Sequence, residues 1–178
     1  MLYQNVMQEV ENLRILGIDP GYAIVGFGVV EYDGYKFMPV HFGAITTEAG
    51  TDFFLRLKTI YDDMNTVLET FAPDSMAIEK LFFNTNQKTG IDVAQARGVT
   101  ILAAVNREIP IYEYTPLQVK QAVVGYGRAE KPQVMEMTRK ILGLAEVPKP
   151  DDTADALAIA ICHGHSGGGG GIRIKNGL

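Results

Sequence analysis

Four carboxylates stand out in this 178-residue chain by their settings. Asp19 closes the apolar stretch "RILGID", Glu79 closes "MAIE", and Asp152 and Asp155 sit three apart in "PDDTADALAIAICHGH". Hard divalent cations such as Mg²⁺, or Mn²⁺ in its place, take carboxylate oxygens from separate elements as ligands. Two such ions a few ångströms apart can clamp a scissile phosphate, one activating water and the other steadying the leaving oxygen. Unneutralised, the cluster is costly, because like charges about 4 Å apart repel by roughly 1–4 kcal/mol at effective dielectrics of about 80 to 20. Bound metal relieves that repulsion. Singly, each acid has a simpler explanation: Asp19 as a turn residue in "GIDPG", Glu79 as a rim residue, Asp152 and Asp155 as partners of a helix dipole. Together, on the right elements, they point to metal.

The elements that must position these acids can be read from periodicity. Residues 14–19, 23–32 and 36–45 read as strands joined by "PGY" and by Asp33-Gly34, a tight-hairpin signal, so three strands form an antiparallel meander. Apolar residues recur at three- and four-residue steps from Asp52 to Phe71, which predicts an amphipathic helix. Within 73–80 a Pro-Asp turn leads into a short fourth strand ending at Glu79, a helix follows from about Asp92 to Glu108, and 111–114 is a fifth strand. Thr115 before Pro116 marks a helix start over 116–124. Further helices are predicted over 133–142 and from Asp152 to His165, with Asp151 as the cap or pre-cap of the last. His163 and His165 are expected at a solvated helix end. The order is that of an α/β fold whose sheet mixes a meander with parallel strands. If strands one and four are parallel neighbours, Asp19 and Glu79 emerge at one sheet edge. Asp152 and Asp155 share a helix face, and packing that helix on the sheet brings all four together.

Length and composition bound the rest. The chain suffices for one domain with a sizeable core. With 47% hydrophobic and 21% charged residues it has a globular composition, and no apolar run approaches a bilayer span. Residues 1–13 lack a basic region and a cleavage site, and read as a flexible extension rather than a secretory signal. The glycine-rich stretch 166–178 reads as a flexible tail. Cys162 is the single cysteine, so no internal disulfide forms and a reducing cytoplasmic setting is expected. The formal net charge is −5, unevenly spread: residues 1–79 hold 4 basic and 12 acidic side chains, residues 80–178 hold 12 and 9. The second half can therefore face a polyanion once metal offsets its acids.

The motifs "GIDPG", "AIEKLFF", "QARGV", "VKQAVVGYGRAEK" and "DDTADALAIAICHGH", in this order and spacing, resemble those of the RuvC-type Holliday-junction resolvases of the RNase H-like superfamily. The resemblance covers about residues 14–165. It implies an RNase H-like nuclease domain with a five-stranded mixed sheet flanked by helices, and a homodimer. It further implies two Mg²⁺ per site and paired nicking of four-way DNA junctions that leaves 5′-phosphate and 3′-hydroxyl ends. Asp19, Glu79, Asp152 and Asp155 become the catalytic, metal-binding acids. Lys120 and Lys131 match lysines at the DNA backbone, Phe82 matches an aromatic used against unstacked bases, and the RuvA-RuvB branch-migration complex is the implied partner. An actin-like or Hsp70-like ATPase would need a second lobe that 178 residues cannot supply. A non-catalytic junction binder would have no use for a carboxylate cluster.

Overall fold

The structure, a computed structural model, describes residues 12–81, 87–167 and 172–174. Strands β1 (Leu13–Asp19), β2 (Ile24–Tyr32) and β3 (Phe37–Thr46) form the meander, followed by α1 (Phe53–Phe71) and β4 (Ser75–Glu79). Then come α2 (Gln87–Val105), β5 (Ile111–Tyr114), α3 (Pro116–Val124), α4 (Lys131–Ile141), α5 (Asp151–His165) and β6 (Ile172–Ile174). The sheet order is β3-β2-β1-β4-β5-β6. The first two pairings are antiparallel, and β1–β4 and β4–β5 are parallel.

The five expected strands are present in the expected mix, and β6 adds a short antiparallel strand against β5. It falls within the stretch expected to be a structureless tail. A sheet edge offers unpaired N–H and C=O groups to any extended backbone, so three residues can join it without a patterned sequence. Helix α2 starts five residues before the expected Asp92 and passes through Gly90. The cost of a helical glycine, about 1 kcal/mol, is a weak veto where tertiary packing supports the helix.

Two apolar layers follow from the period-2 alternation of the strands. Leu16 and Ile18 of β1, with Met76 and Ile78 of β4, pack with Ile60 and Met64 of α1 and Ala103 and Ala104 of α2. Ile15 and Ala77 face the other way and pack with Leu157, Ile159 and Ile161 of α5 and Val119 and Val134 of α3 and α4. By the same alternation Asp19 and Glu79 project on the α5 face. The helix ends are set locally. Asp52 accepts hydrogen bonds from the Phe54 and Leu55 amides at the start of α1. Thr115 and Gln118 form a reciprocal capping box ahead of Pro116.

Candidate active site

The register pairs Ile18 with Ile78, so Asp19 and Glu79 end adjacent parallel strands. Helix α5 reaches them because the strands beneath it carry glycine. A Cβ built on Gly17 would stand 2.0 Å from the Ala156 carbonyl oxygen, and one on Gly26 2.0 Å from that of Asp152. On Gly28 it would stand 2.5 Å from Leu157 Cδ2. No larger residue fits this track, and the alanines of α5 (154, 156, 158 and 160) are buried. Close approach lowers the first turns of α5 toward the strand end, and the Thr153 hydroxyl fixes them by donating to the Gly43 carbonyl at 3.0 Å.

Electrostatics report the convergence. Burial, and then the charges of Glu79, Asp155 and Asp152, push the Asp19 carboxyl up to about 8, with Lys131 pulling the other way. Burial and Asp155 raise Glu79. Burial also raises Asp155, against its hydrogen bond from Lys131. Lys131 lies 2.8 Å from Asp155 and 3.9 Å from Asp151, and this hydrogen bond holds its ammonium above the ordinary lysine range.

A cavity of about 190 Å³ is lined by Asp19, Glu79, Asp155, Lys120 and Lys131, with Pro116, Val119 and Val134 among its apolar walls. Asp152 instead lines a neighbouring hollow of about 210 Å³ beside Gly21 and Tyr22. Among the described residues, no group of three or more His, Cys, Asp or Glu side chains forms a ready-made metal chelate. The donors nevertheless suit a hard cation: they are carboxylate oxygens, partly desolvated and held against one another's charge. Lys120 makes no ion pair among the described residues. Phe82 lies outside the described residues.

Two expectations near α5 are corrected. Asp151 is not the cap: Pro150 occupies that position without a side-chain bond, because the helix begins one residue earlier than expected. Asp151 instead accepts from Lys149 at 2.7 Å, which draws its carboxyl below the usual range. His163 is not at a solvated end. It is 1% exposed, with Nε2 3.0 Å from Ser75 Oγ and Nδ1 2.7 Å from the Tyr114 hydroxyl, and burial lowers it to about 4. His165 is exposed, as expected, and Cys162 is a buried thiol pushed up to about 12.

The family model described as "Crossover junction endodeoxyribonuclease RuvC" matches residues 15–163. The chain belongs to this family. It is 62% identical over 151 residues to the RuvC of Brevibacillus brevis, covering 85% of this chain and 91% of that one. To the RuvC of Caldanaerobacter subterraneus subsp. tengcongensis it is 58% identical over 154 residues, covering 86% and 93%. The structure is similar to "T. thermophilus RuvC in complex with Holliday junction substrate", with a TM-score of 0.86, 36% identity, and 91% and 99% of the two chains covered. The fold is thus the RNase H-like one, and the RuvC motif "QARGV" gains a structural role. Arg97 of α2 pairs with Glu113 of β5 and its Nε donates to the Glu79 carbonyl at 3.4 Å, tying α2 to the strand end that presents Glu79. Its role was not legible in the sequence, since α2 and β5 meet only once the sheet forms.

Proposed function

We propose that this RuvC-family endonuclease resolves four-way DNA junctions at the cavity beside α5. Asp19, Glu79, Asp152 and Asp155 hold divalent cations, two Mg²⁺ per site with Mn²⁺ able to substitute, and Lys120, Lys131 and Phe82 contact DNA. The observation that carries this reading is the crowding of carboxylates around Asp19, which leaves a partly buried acid with its pKa raised to about 8. Such frustration is tolerated where the charge is used. Bound there, the cations supply Lewis acidity and lower the pKa of water to the range where it attacks phosphorus.

The chain's own residues do the rest. The Asp19 and Glu79 strand ends fix two ligand directions, and α5 supplies the other two. The water oxygen bonds to phosphorus and gives up a proton to solvent as the bond to the 3′ oxygen breaks, and that oxygen takes a proton from solvent and leaves as the 3′ hydroxyl. The products carry 5′-phosphate and 3′-hydroxyl ends. Lys131, already at Asp155, can turn its ammonium to the phosphate oxygens as charge builds there, and Lys120 holds the backbone in register. Apolar Val119 and Val134 in the cavity lining limit water there.

The reading extends to a homodimer whose two-fold axis matches that of the junction, giving one site for each opposed strand. Branch migration by RuvA-RuvB would deliver the substrate. Among the described residues no helix is long and apolar enough to cross a membrane, and a single buried thiol accords with a cytoplasmic setting. Residues 14–165 make up the nuclease domain in this reading, with 1–13 and 166–178 as appendages.

The test is incubation with a synthetic four-way junction and a linear duplex of the same arms, each with Mg²⁺ and with EDTA. Paired symmetric nicks in the junction, only with Mg²⁺, are expected. Equal nicking of the duplex would refute junction selectivity, and nicking in EDTA would refute the metal's role.

A further inference from the structure

Two helices that line the cavity, α3 and α4, are joined by the turn Gly125–Glu130, sequence GYGRAE. Its alternate residues are pinned. Gly125 ends α3 in the left-handed region at φ 93°. A Cβ on Gly127 would stand 2.1 Å from Leu117 Cδ1, and Ala129 is buried. With these positions fixed against α3 and the core, Tyr126, Arg128 and Glu130 between them face solvent. The Glu130 backbone is held in turn, its amide donating to the Gln133 side chain at 2.8 Å. The turn is therefore a rigid presentation of three side chains, and ordering them on a ligand costs little further entropy.

What is presented has a definite chemistry. Tyr126 is 47% exposed and lies in the same turn as Gly127, which packs on the 54% exposed Leu117. Arg128 makes no ion pair among the described residues. By contrast Lys131, Lys149, Arg139 and Lys140 nearby each have a carboxylate partner. Lys120, on the cavity wall one helical turn from Leu117, shares the unneutralised state of Arg128. Lys120 thus lines the cavity itself, while Arg128 and Tyr126 stand on the turn that joins two of its walling helices. Arg128 is three residues from Lys131, so their Cα atoms are at most about 11 Å apart, roughly three nucleotides of rise along one strand.

We infer that this turn is a second DNA contact, seating the backbone of a junction arm as it leaves the cavity, with Arg128 on a phosphate and Tyr126 against the neighbouring sugar or base. A fork of guanidinium donors suits phosphate oxygens, and a tyrosine ring offers a face to sugar or base while its hydroxyl stays wet. The inference rests on the functional reading above and assigns where the substrate lies outside the cavity.

The experiment measures junction binding in EDTA, without cleavage, over a series of salt concentrations. Arg128→Ala, Arg128→Lys, Tyr126→Ala and Tyr126→Phe are compared with the parent, and each is checked for an unchanged melting temperature. Arg128→Ala is expected to bind several-fold more weakly, with a log–log salt slope smaller by about 0.9, the value for one lost phosphate contact on B-DNA. Arg128→Lys keeps the slope. Tyr126→Ala weakens binding at an unchanged slope, since no charge is lost, and Tyr126→Phe restores it. An Arg128→Ala protein with the parental slope overturns the phosphate contact, and parental affinity in Tyr126→Ala overturns the stacking contact. A parent that does not bind the junction at all overturns the functional reading and this inference with it.

Discussion

The two ends of α5 bury polar groups in opposite ways. At the C-terminal end His163 is almost fully enclosed, yet both its ring nitrogens are engaged, with Ser75 and with Tyr114, and burial keeps the ring neutral. At the N-terminal end Asp152 and Asp155 crowd Asp19 and Glu79, and Lys131 alone among the charges described around Asp19 opposes them. One end is satisfied and the other frustrated. A buried histidine with partners on both sides is a fastener between α5 and strands β4 and β5. Buried carboxylates set against one another stabilise nothing until a cation arrives, which is why the proposed chemistry is placed at this end.

Substitutions should separate the two ends. The largest effect is expected from Asp19→Asn or Asp155→Asn: a loss of junction cleavage of about 10³-fold or more, as fits removal of a group that organises transition-state charge, with junction binding retained. Full nicking by either variant would remove that residue from the site. Next, His163→Ala should lose about 2–4 kcal/mol of stability through two hydrogen bonds and a cavity, measured by urea unfolding. Below its melting temperature it should still cleave. A His163→Ala protein that is stable but inactive would abolish the distinction between the ends.

The pH dependence of metal-free stability sharpens the same contrast, because the two groups act with opposite sign. The folded pKa of His163 is lowered from 6.5 to about 4, so in that window the unfolded chain binds the extra proton and stability rises with pH. The contribution is about 3 kcal/mol, present above 6.5 and lost as pH falls through 4. The folded pKa of Asp19 is raised from 3.8 to about 8, so the folded state keeps a proton that the unfolded chain has released, and stability falls as pH rises across that window. Metal-free parent should therefore gain no stability from pH 4 to 6.5, where Asp19, with the likewise raised Glu79 and Asp155, opposes the histidine, and should decline toward pH 8. Asp19→Asn should lose the largest part of that decline, keeping only what the raised Glu79 and Asp155 contribute, and should be the more stable protein at pH 8. Chemical denaturation across pH 4–8 in EDTA checks this, and a decline that persists unchanged in Asp19→Asn would place its source elsewhere. The smallest effect is expected at Asp151, whose exposed pairing with Lys149 and lack of a capping bond predict that Asp151→Ala barely moves the melting temperature with or without Mg²⁺. A clear drop would restore its role as a cap.

Much of this molecule was legible before any coordinates because its signals are local. The short apolar runs in 14–19 and 23–32, the Asp33-Gly34 turn and the three- and four-residue recurrence in 52–71 each act over a few residues, so strands, hairpin and helix followed from them. Thr115-Pro116 carried its cap and its start in adjacent positions. The candidate acids were legible for a related reason: Asp19 and Glu79 close apolar strands, and the spacing of Asp152 and Asp155 sets them on one helix face. The motifs also sufficed for the family. The cap of α5 differs from the expected one because aspartate is the preferred capping residue and Asp151 stands at the helix mouth, whereas the folded helix takes Asp151 into its first turn and leaves Pro150 before it.

Sequence alone, then, determined five strands, five helices and the acids that close β1 and β4, but not β6, the start of α2 or the cap of α5. Tertiary structure decided how close the acids come and what neutralises them. Gly17, Gly26 and Gly28 look like isolated glycines until α5 lies across them and their missing side chains become the reason Asp152 and Asp155 reach Asp19. Lys131 is one basic residue among several until packing sets it 2.8 Å from Asp155. His163 reads as a polar helix end until Ser75, 88 residues away, closes on it. The division has one cause. Backbone propensity and hydrophobic period act between near neighbours along the chain, whereas burial, desolvation and charge coupling are set by residues far apart in sequence that meet only when the chain has folded.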